Sequence, residues 1–209
     1  GSPSVSIANG APTGAGATDE IALTWAGFEE NEDEHVWLRY STDGGASWSD
    51  PEAIESAGDR GYYSAPALSP DGTDLYVVYN AFTTPFRNDT TSVRGLVGVV
   101  LHADIGPDGA PTSLTEVHRG ATGDPRGSSQ NNIVIEFLGD YVYASATNEY
   151  AVAVWQDARN AADCPAVDAF RADFQITRSL AGRPAIQQAC PTTFGNTDIF
   201  AWSGLDPTP

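Results

Sequence analysis

The amino-acid sequence predicts an all-β chain and, among all-β architectures, a β-propeller of four-stranded antiparallel blades. Helical periodicity is nearly absent, whereas short runs rich in Val, Ile, Tyr and Trp recur between clusters of Gly, Pro, Asp and Asn. These runs fall into sets of four at intervals of roughly 45 to 65 residues, which is propeller-blade spacing. Tight turns such as "SPDGTD" and "TNEY" separate the first two strands of a set. A β-sandwich also produces short strands at such spacing, so these observations leave it open.

In chain order, the first set is "SVSIA" (4 to 8), "EIALTWAGF" (20 to 28), "HVWLRYS" (35 to 41) and "PEAIE" (51 to 55). The second is "APALS" (65 to 69), "DLYVVYNAF" (74 to 82), "GLVGVVLHADI" (95 to 105) and "SLTEVHR" (113 to 119). The third opens with "NIVIEFLGDYVYASAT" (132 to 147), which bends into an inner strand. It continues with "YAVAVWQD" (150 to 157) and, after a long interruption over 157 to 196, "TDIFAWS" (197 to 203). Its fourth strand is missing. The expected blades are therefore 4 to 55, 65 to 119 and 132 to 203, in one domain over 1 to 209.

At 209 residues the chain is long enough to bury a core without staples. Its 28 acidic residues face only 10 basic ones, all arginine, for a formal charge of -18. Nucleic acid is a poor partner for such a surface, because phosphate contact needs clustered cations. No run reaches the ~18 apolar residues of a membrane span. Cys164 and Cys190 are both followed directly by proline in a loop-like region. They read as a disulfide closing that loop, which argues for secretion, with two buried thiols as the alternative. Their spacing matches no zinc motif, and His35, His102 and His118 show no ligand clustering, so no metal is expected. The acidic loop "EENEDEH" could hold calcium but lacks the spacing of a preformed calcium loop, and a solvated tip explains it better.

One short stretch decides between the all-β architectures. "STDGGASW", with Ser41, Asp43, Gly45, Ser47 and Trp48, has the form S-x-D-x-G-x-S-W. Asp43 can accept from the backbone amides that follow it, and Gly44 and Gly45 supply the positive φ of a tight hairpin. The two serines can tie its ends together, and Trp48 gives the polar corner an apolar surface to pack. This stretch resembles the Asp-box, or BNR repeat, of the sialidase superfamily of propellers. "GDYVYASATNEYAVAVWQDAR" resembles the G-D-Y and W-x-D-x-R pattern of secreted, actinobacterial-like members, and "DCPAVDAFR" and "CPTTFGNTDIF" resemble their closing segments. Such rings have about six blades, whereas just under three are present here. The resemblance thus implies a partial ring, the C-terminal half, whose end faces are covered by an N-terminal half, a second chain or a second copy.

The resemblance also implies a glycan partner and sialidase-type exo-glycosidase hydrolysis, or failing that a non-catalytic propeller binding a glycan or protein. The superfamily clamps a carboxylate with three arginines, for which a guanidinium fork is well shaped. It uses a tyrosine nucleophile polarised by a carboxylate and an aspartate as acid/base. Function is expected at the rim opposite the Asp-box, whose loops carry seven of the ten arginines. There Arg87, Arg126 and Arg159 are the clamp candidates, Tyr62, Tyr63 and Tyr141 the nucleophile candidates, and Asp89, Asp140 and Asp157 the acid candidates. The superfamily's F-R-I-P string is absent, the closest match being "PFRND" at 85 to 89. Rim ion pairs are the competing reading of the arginines, and a local turn pair that of Asp157 and Arg159.

Overall fold

The computed structural model describes residues 3–28, 34–85, 87–129, 132–139 and 141–208. It is mostly β, with three open antiparallel sheets following one another along the chain. The first holds β1 (Ser4–Ile7), β2 (Ile21–Phe28), β3 (Glu34–Ser41) and β4 (Glu52–Ala53). The second holds β5 (Arg60–Leu68), β6 (Asp74–Phe82), β7 (Leu96–Asp104) and β8 (Thr115–Arg119). The third has three strands, β9 (Tyr143–Ala146), β10 (Tyr150–Asp157) and β11 (Asp198–Leu205). In each sheet the strands lie side by side in chain order.

Burial along the strands explains the stacking. β6 is buried along almost its whole length because both its faces are covered. Leu75, Val77, Tyr79 and Ala81 pack with Ala22, Val36 and Leu38 of the first sheet. The alternate residues Tyr76 and Val78 pack toward the third sheet, against Ala151 and against Ala153 and Trp155 respectively. Asn80 joins the same two sheets through polar bonds, its amide donating to the carbonyls of Val97 and Gln156. Two glycines allow the close approach. A Cβ at Gly61 would meet the His35 carbonyl at 2.7 Å, and one at Gly98 would meet the Trp155 ring at 2.3 Å. The outer faces of the stack stay apolar: Val5 and Ile7 are exposed on the first sheet, Tyr143, Ile199 and Leu205 on the third.

The structure departs from the sequence expectation in two places. Of 132 to 147 only Tyr143–Ala146 is strand, because the carbonyls of Ile133 and Ile135 bond to the buried Arg171 guanidinium instead of a neighbouring strand. The interruption expected as loop contains a helix, α1 (Pro165–Thr177), and a short α2 (Ile186–Ala189). Pro165 opens α1 at a position where its missing N–H costs nothing, and Val167, Phe170 and Phe174 pack one face against Ile133. Cys164 and Cys190 are disulfide-bonded across that insertion. No helix is long and apolar enough to cross a membrane.

Candidate functional site

The turn between β3 and β4 closes through its own side chains. The Ser41 hydroxyl donates to Asp43 at 2.8 Å, while the Ser47 amide and hydroxyl donate to the two Asp43 oxygens at 2.8 and 2.6 Å. The Gly45 amide returns to Ser41, and the Trp48 indole donates to the Gly45 carbonyl. These bonds, led by the Ser47 hydroxyl, hold the Asp43 carboxyl down to about 2. A second corner repeats the scheme without a tryptophan: Ser69 and Thr73 hydroxyls both donate to Asp71, and the Thr73 amide donates to Ser69. The Asp43 carboxylate and the serine and threonine hydroxyls named here are engaged in these bonds, so the corners read as structural ties.

At the opposite ends of the strands lies a cleft of about 420 Å³. It draws on the start of β3, the start of β5, the β6–β7 loop, the β8–β9 connection and α1. Four arginines line it, Arg60, Arg87, Arg94 and Arg171, against three carboxylates, Glu34, Asp89 and Glu136. In a chain of net charge -18 this is a local inversion of sign. Tyr62 and Phe82 form an aromatic wall, their ring centres 5.2 Å apart. Tyr62 is the extra residue of a β-bulge in β5, between the Gly61 and Tyr63 pairings, and the bulge turns its ring into the cleft. The Thr84 hydroxyl lines the cleft, buried and without a hydrogen-bond partner.

The arginines differ in what they are free to do. Arg171 is 2% exposed and donates to the carbonyls of Arg126, Ser128, Ile133 and Ile135, so it ties these backbone positions together as a floor. Arg94 pairs with Glu136 at 2.5 Å and also donates to the Asp89 and Arg87 carbonyls. Arg60 sits 3.3 Å from Glu34. Arg87 is exposed, and no described carboxylate pairs with its guanidinium. Burial raises the Glu136 pKa above the ordinary carboxylate value despite Arg94 and Arg171.

The nine catalytic candidates do not assemble into one site. Tyr62, Arg87 and Asp89 line the cleft. Asp140 lies outside the described residues. Arg126 is buried and spent: it pairs with Asp124 at 2.8 Å and Asp168 at 3.2 Å and donates to the Thr91 carbonyl. Arg159 clamps Asp157 at 2.6 Å and lies 3.9 Å over the Phe200 ring, while Trp155 donates to the same carboxylate. The W-x-D-x-R string is therefore a local knot beside the Gly120 backbone, which answers the alternative left open for Asp157 and Arg159. Tyr63 packs into the core between the second and third sheets, and Tyr141 stacks on Tyr143 away from the cleft.

Asp89 is unsuited to giving up a proton. The Ser92 amide and hydroxyl, with those of Thr91, lower its pKa well below the usual range. A tyrosine beside a carboxylate does occur, Tyr79 donating to Asp59 at 2.7 Å, but Tyr79 is fully buried and burial raises its pKa. Glu136 was missed from sequence, and Glu34 was read only as part of the acidic loop 29 to 35, since nothing in local spacing marks a carboxylate that reaches a cleft. His102, for which the sequence shows no ligand clustering, lies together with Asp74 and Asp104. The acidic tip over 29 to 33 lies outside the described residues.

No protein-family model matches the chain, and no curated protein does. Among solved structures, similarity extends to Morganella morganii TcdA4 (14% identity, TM-score 0.36, 74% of this chain and 6% of that one). It extends to Trypanosoma rangeli sialidase (15%, TM-score 0.34, 75% of this chain and 26% of that one). It extends also to an N-acetylgalactosamine deacetylase from F. plautii, solved with blood group B trisaccharide (14%, TM-score 0.33, 90% and 47%). The chain spans less than half the length of each of these proteins.

Proposed function

We propose that the cleft binds an acidic carbohydrate and that the three sheets are consecutive blades of a sialidase-type propeller. The observation that carries the binding reading is the inversion of charge: four of the ten arginines surround one cleft of a strongly acidic protein. Arg87, exposed and without a carboxylate partner, takes the ligand's carboxylate as a bidentate fork. Tyr62 and Phe82 present aromatic surface to the sugar ring, and the Thr84 hydroxyl is placed to bond a sugar hydroxyl. Binding is favoured over hydrolysis because Asp89 is held ionised and none of the cleft carboxylates is hydrogen-bonded to Tyr62.

The propeller reading rests on the stack of sheets in chain order, with both faces of the middle one buried. The apolar outer faces are then covered by further blades, from the same polypeptide, a second chain or a second copy. The Cys164–Cys190 bond favours an extracellular setting.

Calorimetry with sialylated and neutral oligosaccharides tests the binding, with a fluorogenic sialoside to detect turnover. Saturable binding of the acidic sugar, weakened about tenfold or more by Arg87→Ala, is expected. Equal binding of neutral and acidic sugars, or an unaffected Arg87→Ala variant, overturns the reading. Turnover abolished by Tyr62→Phe would replace binding with hydrolysis.

A further inference from the structure

A second cluster lies at the other ends of the strands, away from the cleft. His102, at the end of β7, is 3% exposed, and its Nε2 lies 2.9 Å from Asp74 Oδ1, at the start of β6. The same nitrogen is 3.8 Å from Asp104 Oδ1 and 4.0 Å from Asp206 Oδ1, just after β11. The ligand atoms of Asp74, His102 and Asp104 all lie within 4.8 Å of one another. Thr208 bridges Asp104 and Asp206 with its hydroxyl, bringing the C-terminal segment onto the second sheet. Among the described residues, no arginine lies within ion-pair distance of these three carboxylates, and the imidazole of His102 is their nearest basic group.

An independent observation points to a ligand. Tyr76, the cross-strand partner of His102, is 2% exposed, and its hydroxyl has no hydrogen-bond partner. Its ring centre is 4.7 Å from the imidazole. A buried hydroxyl left unpaired next to three carboxylates costs stability unless something between them accepts or is coordinated.

We propose that Asp74, His102, Asp104 and Asp206 form a binding site for a divalent transition-metal cation of the zinc class, with the Tyr76 hydroxyl facing the ion or a water on it. One imidazole with carboxylates is a donor set that such ions accept, whereas calcium and magnesium favour oxygen alone. Tetrahedral bonds of about 2.0 to 2.1 Å place ligand atoms about 3.3 Å apart, close to the 2.9 to 4.0 Å spread around Nε2. The ion takes the place of the hydrogen bond between His102 and Asp74 and compensates the gathered carboxylate charge. It pins the chain after β11 to the second sheet, so the site is structural.

The test is calorimetric titration of the EDTA-treated full chain with ZnCl2, together with the visible spectrum on adding CoCl2. One ion per chain is expected, with cobalt bands of a four- or five-coordinate site. Asp104→Asn, at the exposed end of the cluster, and Asp206→Asn, more deeply set, each weaken binding about tenfold or more. Asp50→Asn, an exposed carboxylate elsewhere, leaves it unchanged. Absence of saturable zinc binding by the folded chain overturns the proposal. So does binding insensitive to both cluster variants, and so does a response to CaCl2 without one to ZnCl2.

Discussion

Across the cleft Arg94 and Glu136 are 2.5 Å apart, and burial of the Glu136 carboxylate outweighs its cations and raises its pKa. A carboxyl whose pKa is higher in the folded chain than in the unfolded one binds its proton more tightly when folded. Its contribution to stability is therefore full below the ordinary value of 4.5 and declines as pH rises through the raised value. Glu136→Gln removes this term. The stability of the natural chain relative to the variant, from urea unfolding between pH 4 and pH 7, is expected to fall with rising pH. Parallel profiles would show that Glu136 carries no such strain.

Arg126 and Arg87 separate structure from recognition. Arg126→Ala leaves the 3% exposed Asp168 without its nearest cation and strips the Thr91 carbonyl of its donor. Breaking a buried pair from one side costs about 3 to 5 kcal/mol, so a large drop in urea midpoint is expected. Arg87→Ala, at an exposed site, is expected to stay within about 0.5 kcal/mol while weakening acidic-sugar binding. Equal stabilities of the two variants would contradict the placement of Arg126.

Asp43 gives the opposite pH signature. Its folded pKa of about 2 lies below the ordinary 3.8, so its stabilisation is present above the ordinary value and is lost as pH falls toward 2. The melting temperature of Asp43→Asn should lie below that of the natural chain at pH 6, the two converging near pH 2. A constant gap across that range would mean the corner does not depend on the carboxylate's charge.

Removing the disulfide with Cys164→Ser and Cys190→Ser together frees a loop of sequence separation 26. Loop-closure entropy puts the loss at about 3 to 4 kcal/mol. Because α1 packs its apolar face on Ile133 and Arg171 holds the cleft floor, the loosened insertion should also weaken ligand binding. Stability unchanged by the double substitution would mean the helix is held by packing alone.

The mostly β character and the order of strands were legible because a strand's composition is local: β6 runs apolar from Leu75 to Tyr79, and both its faces are covered. The Ser41–Trp48 corner was legible for the same reason, its bonds spanning no more than four residues. The α1 helix was overlooked although Val167, Phe170 and Phe174 carry its period, the flanking cysteines and prolines having suggested loop.

Local sequence thus determined the strands and the tight corner, since each depends on neighbours a few residues away. Tertiary structure alone decided which arginines face the cleft and which are consumed in internal pairs. A guanidinium reads the same in sequence whether it meets Asp168 from α1 or open space beside Tyr62. It decided equally that Asp74, His102, Asp104 and Asp206 meet, because long-range pairing, not spacing, sets the distance between charges on different strands.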